Sequence, residues 1–294
     1  MRSGVVVGTT LVLGSILFAA NLTVAVVTGS RAVLAEAVYT IADVVGSAVI
    51  LIGLRASQRP ADADHPFGYG KERFFWAFVS TLVIFALGGF LSLAAGVLQV
   101  ATPGPVVNVS LGFWVVGATL ATSVGGVAVA VRELRRSRAT FASFMASVHQ
   151  GVKTVVYQDL VSIGGAVAAL AGLAAVDVTG RSEYDGLAAV VVGVFLIVTG
   201  VVLSAENREL LVGRAIDPST ARQIYTIAAQ QPSVRSIRSL QSMQLGPDQL
   251  LVALRVNFQD NLTTDQVESA IDELAHRVRS AVPSLQHLII EPES

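Results

Sequence analysis

A membrane all-α domain of six transmembrane helices, followed by a small cytoplasmic α+β domain of αββαβ, ferredoxin-like order, is the fold class this sequence predicts. Three observations predict it. Six apolar segments reach the roughly 20 residues that a bilayer core demands of a helix. Lys and Arg gather in alternate loops between those segments, and after Ser204 the composition turns polar. The overall balance agrees: 53% of residues are hydrophobic, only 14% are charged, and mean hydropathy is +0.65. A soluble domain carries about a quarter charged residues.

The segments are Val5–Val27, Ala32–Leu54, Phe74–Val100, Leu111–Val131, Thr154–Val176 and Tyr184–Leu203. Met1-Arg2-Ser3 opens onto an apolar run of about 25 residues, longer than a signal-peptide core, so it reads as a first spanning helix. Thr102-Pro103-Gly104-Pro105 is an uncharged turn between the third and fourth segments, and Asp177 to Glu183 is a short polar loop between the fifth and sixth. The loop after the second segment carries Arg55, Arg59, Lys71 and Arg73. The loop after the fourth carries Arg132, Arg135, Arg136, Arg138 and Lys153, whereas the others hold little more than Arg31 and Arg181. Basic loops stay inside, so both termini are expected to be cytoplasmic. Gly186, Gly193 and Gly200 recur every seven residues in the sixth segment, with Gly164-Gly165 and Gly172 in the fifth and Gly88-Gly89 and Gly96 in the third. Small residues on one stripe let spanning helices approach closely, and this reads as a packing seam.

Two domains follow, 1–205 in the membrane and 206–294 outside it. Asp217-Pro218 is an N-cap with Pro at the first helical position, opening a helix to about Gln230. Val234–Leu245 and Leu250–Phe258 read as strands around Gly246-Pro247-Asp248. Alternating Leu250, Val252, Leu254 and Val256 give the second strand one apolar face. Thr263 with Gln266 has capping-box spacing and opens a helix to about Ala281. Pro283 ends it, and Leu285–Ile290 is a third strand.

Composition also excludes chemistry. With no cysteine there is neither a disulfide framework nor a thiolate metal site. The chain shows no nucleophile–base pair, no P-loop and no glycine fingerprint of a nucleotide fold, so neither an enzyme nor a nucleic-acid binder is indicated. The Arg132–Arg138 run is explained by loop orientation. What does stand out is Asp43, in the middle of the second segment. A carboxylate at bilayer depth costs roughly 2.5–3.5 kcal/mol on insertion scales, so it marks an ion path, a water-filled cavity or a charged partner. Tyr39 lies one turn away on the same face, and Glu36 a further turn toward the outer mouth. Asp159, preceded by Tyr157-Gln158, sits in the fifth segment. With no Lys or Arg in the central membrane, a divalent cation is the natural counter-charge for Asp43 and Asp159. Oxygen ligands suit a hard ion, imidazole suits zinc. With the ion gone, two neighbouring carboxylates do not both stay ionised, and protons take the metal's place. The competing reading has each Asp satisfied by Asn21, Gln158, Tyr39 or a serine.

Asp62, Asp64 and His65 stand at the cytoplasmic mouth and are placed to collect cations. Lys71, Glu72 and Arg73 are placed to pair with Glu206 or Glu209. His149 reads as an exposed loop residue and His276 as a surface residue beside Arg277 and Arg279. His287 with Glu291 is a weak metal pair, read rather as tail surface.

The run from Arg59 to Arg73, containing His65-Pro66-Phe67-Gly68-Tyr69-Gly70-Lys71, together with Asp43, Asp159, six spans and the αββαβ tail, resembles the cation diffusion facilitator family over essentially the whole chain. Asn207-Arg208 to Asp217 and Gly246-Pro247-Asp248 look like its SLC30A9-type branch. The resemblance implies a homodimeric, proton-coupled exporter of divalent cations, zinc most often, working by alternating access. No cofactor is expected beyond the transported ion. It also implies a transport site built from two pairs of side chains spaced four apart, here Tyr39 with Asp43 and Val155 with Asp159. His or Asp is common in the family where this chain has Tyr39 and Val155. Asp62 and His65 match the family's loop site, with Tyr69 where some members have His. Glu291, and His287 beside it, fall near the family's tail site, and a tail that dimerises without metal is expected. A bacterial inner membrane is the expected location. Two alternatives stay open: a transport-inactive membrane scaffold or regulator, and a carrier of Mn²⁺, Fe²⁺ or Mg²⁺.

Overall fold

The computed structural model describes residues 2–136, 150–246 and 249–293. They form two compact units, Met1–Arg55 with Phe75–Asn207, and Ala56–Phe74 with Arg208–Ser294. The polar loop after the second span therefore groups with the tail.

Six of the described helices are long and apolar enough to cross a membrane. They are α1 (Arg2–Thr28), α2 (Arg31–Ala56), α3 (Glu72–Ala101), α4 (Val109–Arg136), α5 (Gln150–Thr179) and α6 (Glu183–Val212). All six expected spans are present, and most run a few residues past their apolar limits. The largest difference is at the end of α6, which continues to Val212 rather than stopping near Leu203. Leaving the apolar stretch does not end a helix. Glu206 to Leu211 are mostly strong helix formers, and the Asn207 side chain donates back to the Leu203 carbonyl at 3.0 Å.

The third span is not uniform. Between α-helical stretches Glu72–Val83 and Leu91–Ala101, residues Ile84–Phe90 form a π-helical turn. Single π turns inside α-helices are uncommon and gather at functional places. This one is packed against α6, where a Cβ on Gly88 would lie 3.2 Å from Leu196 Cδ1 and one on Gly89 2.6 Å from Ile197 Cγ1. The glycine stripe continues outward. A Cβ on Gly96 would lie 2.6 Å from the Gly186 carbonyl, and one on Gly193 2.5 Å from the Leu93 nitrogen. The seven-residue stripe is thus a seam between α6 and α3. On the opposite side of α6, Gly164 of α5 admits Phe195, which a Cβ would meet at 2.8 Å. Two apolar clusters fill the bundle. Val33, Val116, Ala166 and Leu173 join α2, α4 and α5, while Ala42, Ile84, Val161, Val192 and Leu196 join α2, α3, α5 and α6.

In the second unit, α7 (Pro218–Ala229) and α8 (Thr264–Ala281) lie against a sheet of order β1-β2-β3. Strand β1 (Val234–Gly246) pairs antiparallel with β2 (Gln249–Phe258), and β3 (Leu285–Pro292) lies parallel to β2. The order is the expected αββαβ. Leu250, Val252, Leu254 and Val256 are all buried, with Ile224, Ala228, Ala270, Leu274 and Val278 of the helices in the same core. Asp217 accepts from the Ser219 and Thr220 backbone N–H groups at the start of α7. Thr263 and Gln266 complete a reciprocal capping box at the start of α8. The turn at Pro247-Asp248 lies outside the described residues.

Candidate transport site

Residues 36, 39 and 43 fall at i, i+3 and i+7, so one face of α2 carries Glu36, Tyr39 and Asp43. Glu36 is completely buried, Tyr39 is buried and Asp43 is half-buried. The face belongs to the cluster shared with α5 and α6. Asp43 lies within the electrostatic field of Asp159 on α5, and Tyr39 within the fields of Asp43, Glu36 and Asp159. The structure therefore brings Asp43, Tyr39 and Asp159, three of the sequence-predicted site residues, into one neighbourhood.

Asp159 sits where α5 meets α4. Gly126 of α4 leaves the space its carboxylate occupies, and any Cβ there would collide with it. Its Oδ2 is buried with no hydrogen-bond donor among the described residues. One turn along, Ser162 accepts from Ser123 of α4 at 2.7 Å. The Ser123 hydroxyl also lies 3.1 Å from the Thr119 carbonyl, an alternative acceptor for its single hydrogen, and the Thr119 hydroxyl accepts from Asn21 of α1 at 3.2 Å. A ladder of small polar groups thus follows Asp159 along α4 and α5.

This geometry bears on whether amides or hydroxyls neutralise the carboxylates. The Asn21 amide has two hydrogens, and it donates to the Leu17 carbonyl and to Thr119, so neither aspartate draws on it. Ser162 accepts from Ser123 and keeps its own hydrogen to donate. His149 and the side chains of Lys153, Val155, Tyr157 and Gln158 lie outside the described residues. Among the described residues, no three His, Cys, Asp or Glu side chains gather as a metal-ligand cluster.

The loop residues form a separate cluster in the second unit. Asp62 accepts from the Tyr69 hydroxyl at 2.8 Å and from the His65 backbone N–H at 2.8 Å. His65 Nδ1 stands 3.6 Å from Asp62 Oδ1, and its ring is 4.2 Å from that of Tyr69. The Tyr69 bond, then the His65 bond, holds the Asp62 carboxyl below its ordinary range, and the same contact raises the Tyr69 phenol. Arg59 lies over the Tyr69 ring at 5.8 Å. Asp62 and His65 do meet, but Tyr69 occupies the second carboxylate oxygen, and a cation entering here competes with it and with Arg59.

In the tail, His287 packs edge-on against Phe67 at 5.1 Å, and Glu291 accepts from Arg255 Nε at 2.8 Å across the β2–β3 ladder. The weak pair of His287 and Glu291 is thus drawn to two different neighbours. Lys71 Nζ reaches the Leu211 carbonyl at the end of α6, at 3.4 Å.

One residue escaped sequence reasoning, and the surroundings of another did. Asp185, in the first turn of α6, is buried and accepts from the Ser30 hydroxyl and the Arg31 and Ala32 backbone N–H groups. It caps α2 from another helix. The legible signal was Ser30, a hydroxyl just ahead of a helix start. Glu36 was legible as a position on the Asp43 face, but its complete burial was not.

Six spanning helices with carboxylates set among them, followed by a small α+β tail, make this a multi-pass membrane protein. Residues 9–212 match the cation efflux transmembrane domain family. The chain belongs to that family, the cation diffusion facilitators. Metal tolerance protein C4 of Arabidopsis thaliana is 30% identical over 234 residues, 78% of this chain and 51% of that protein. The proton-coupled zinc antiporter SLC30A9, mitochondrial, of Homo sapiens is 27% identical over 242 residues, 81% of this chain and 43% of that one. The cation-efflux pump FieF of Cronobacter sakazakii is 28% identical over 264 residues, covering 89% of this chain and 83% of the pump. The chain spans about half the length of the first two relatives. A solved MamM CTD is 16% identical, covering 26% of this chain and 95% of that one, with a TM-score of 0.25.

Proposed function

We propose that this protein moves a divalent metal cation out of the cytoplasm in exchange for protons, and that Asp43 and Asp159 are the groups that hold the ion. The observation that carries this reading is the pairing of two half-buried carboxylates on different spans, one with an oxygen that meets no donor among the described residues. A dehydrated carboxylate without donors calls for a counter-charge, and the sequence of the six apolar segments contains no Lys or Arg. A doubly charged ion satisfies both groups at once. Protons satisfy them one at a time, which gives the exchange its stoichiometric logic. Tyr39 lines the site as an oxygen ligand or hydrogen-bond donor, and Asp62 and His65 attract ions at the inner mouth. The basic loops set the inside, and the tail joins two copies.

Zinc is the first candidate, since one relative is named a zinc antiporter. A harder ion such as Mn²⁺ is favoured by one feature: Tyr39, Asp43 and Asp159 offer oxygen only.

The test is metal uptake into proteoliposomes under an imposed proton gradient. Wild type is expected to accumulate Zn²⁺ or Mn²⁺, with flux lost in Asp43→Asn and in Asp159→Asn. Equal flux in all three contradicts the assignment. Absence of flux for every divalent ion favours a membrane scaffold.

A further inference from the structure

Gly126 of α4 differs from the glycines of the α3–α6 seam. There the space beside each glycine is taken by backbone or aliphatic groups of the facing helix. Beside Gly126 it is taken by the Asp159 carboxylate of α5. A Cβ on Gly126 would lie 2.9 Å from Asp159 Cγ and 3.1 Å from Oδ1, and closer still to Oδ2. With any side chain at this position, something must yield. The helices are held together one turn along, where the buried Ser123 of α4 donates to the buried Ser162 of α5 at 2.7 Å. The part that yields is the far end of the Asp159 side chain, which turns about χ1 between staggered wells roughly 120° apart. Such a turn carries the carboxylate oxygens well beyond the about 0.2 Å that a metal–ligand distance tolerates. A carboxylate that ligates a metal is ordinarily oriented by hydrogen bonds from its surroundings. Asp159 Oδ2 meets no donor among the described residues, so the notch in α4 orients it by shape instead.

We infer that Gly126 is a positioning residue of the transport site, its notch in α4 holding the Asp159 carboxylate in the orientation that receives the ion. This rests on the reading that Asp43 and Asp159 hold the transported ion. Gly126 supplies no ligand and acts only through Asp159. A side chain there weakens the grip on the metal and leaves the later steps of transport intact.

Gly125, the adjacent residue of α4, is exposed, and a Cβ there meets nothing within 4 Å. Gly125→Ala is therefore the matched control, with the same gain in helix propensity. Titration calorimetry with Zn²⁺ on the purified full chain is expected to show affinity lowered on the order of tenfold in Gly126→Ala and unchanged in Gly125→Ala. In proteoliposomes Gly126→Ala is expected to raise the Zn²⁺ concentration at half-maximal flux by a similar factor, with flux at saturation near wild type. Wild-type affinity in Gly126→Ala overturns the inference, as does an equal loss in Gly125→Ala. A fall in saturating flux at an unchanged half-maximal concentration also overturns it, since that marks damaged packing alone. Asp159→Asn tells a failure of the Gly126 role from a failure of the aspartate site. Binding lost in Asp159→Asn but kept in Gly126→Ala removes only the Gly126 role. Binding kept in Asp159→Asn removes the aspartate site and the Gly126 role with it.

Discussion

Asp43 and Asp159 are ordinary carboxylates whose roles come from where the chain puts them. On the proposed reading, their neighbour Tyr39 is expected to tune the choice of ion. A phenol is a poor ligand for zinc beside the imidazole that commonly occupies this family position. Tyr39→His is therefore expected to shift preference toward Zn²⁺ over Mn²⁺ by about tenfold or more, read from competition in the flux assay. At the inner mouth the sign of a proton effect is fixed by Tyr69. Its hydroxyl and the His65 N–H hold the Asp62 carboxyl below its ordinary range. The stabilisation from those bonds is present above the ordinary carboxylate range and fades as pH falls through the lowered value. Tyr69→Phe removes the larger contribution, so Asp62 should titrate at higher pH than in wild type. An NMR titration of the Asp62 carboxyl checks this, and an unchanged midpoint contradicts it.

The helices and strands divide into those governed by local chemistry and those governed by packing. Both tail helices start where their caps stand in the sequence, since Asp217-Pro218 and Thr263 with Gln266 act within a single turn. Partial burial pushes the Asp217 carboxyl up, but hydrogen bonds from Ser219 and Thr220 outweigh it and bring the group down to about 2. Asp217→Ala should cost the start of α7 about 1 kcal/mol at neutral pH. Because the folded value is depressed, that difference is present above the ordinary carboxylate value of 3.8 and disappears as pH falls toward about 2. Hydrogen exchange of the α7 amides in the full chain measures it. Elements shaped by distant contacts were not legible. The π turn at Ile84–Phe90 depends on how α3 meets α6. Asp185 caps a helix that lies more than a hundred residues earlier in the chain, and the end of α6 is set by helix propensity beyond the apolar stretch. Hydropathy placed Glu36 on the right face, but it reports depth and not which neighbours surround a side chain. The α3–α6 seam makes a further expectation: Gly193→Val forces the backbones at Leu93 apart and should lower the thermal stability of the detergent-purified chain by several degrees. An unchanged melting temperature contradicts the seam.

At the scale of the molecule, the six spans supply the low-dielectric surroundings in which the proposed pair of carboxylates is expected to prefer a divalent ion, and the tail is expected to hold two copies together. Light scattering of the purified full chain should give the mass of a dimer, and a monomer at micromolar concentration contradicts that assembly. The central claim is that Asp43 and Asp159 act as one binding site. Titration calorimetry with Zn²⁺ or Mn²⁺ on the purified full chain tests it most directly. The account predicts saturable binding in wild type and its loss in both Asp43→Asn and Asp159→Asn. Undiminished binding in either variant would contradict it.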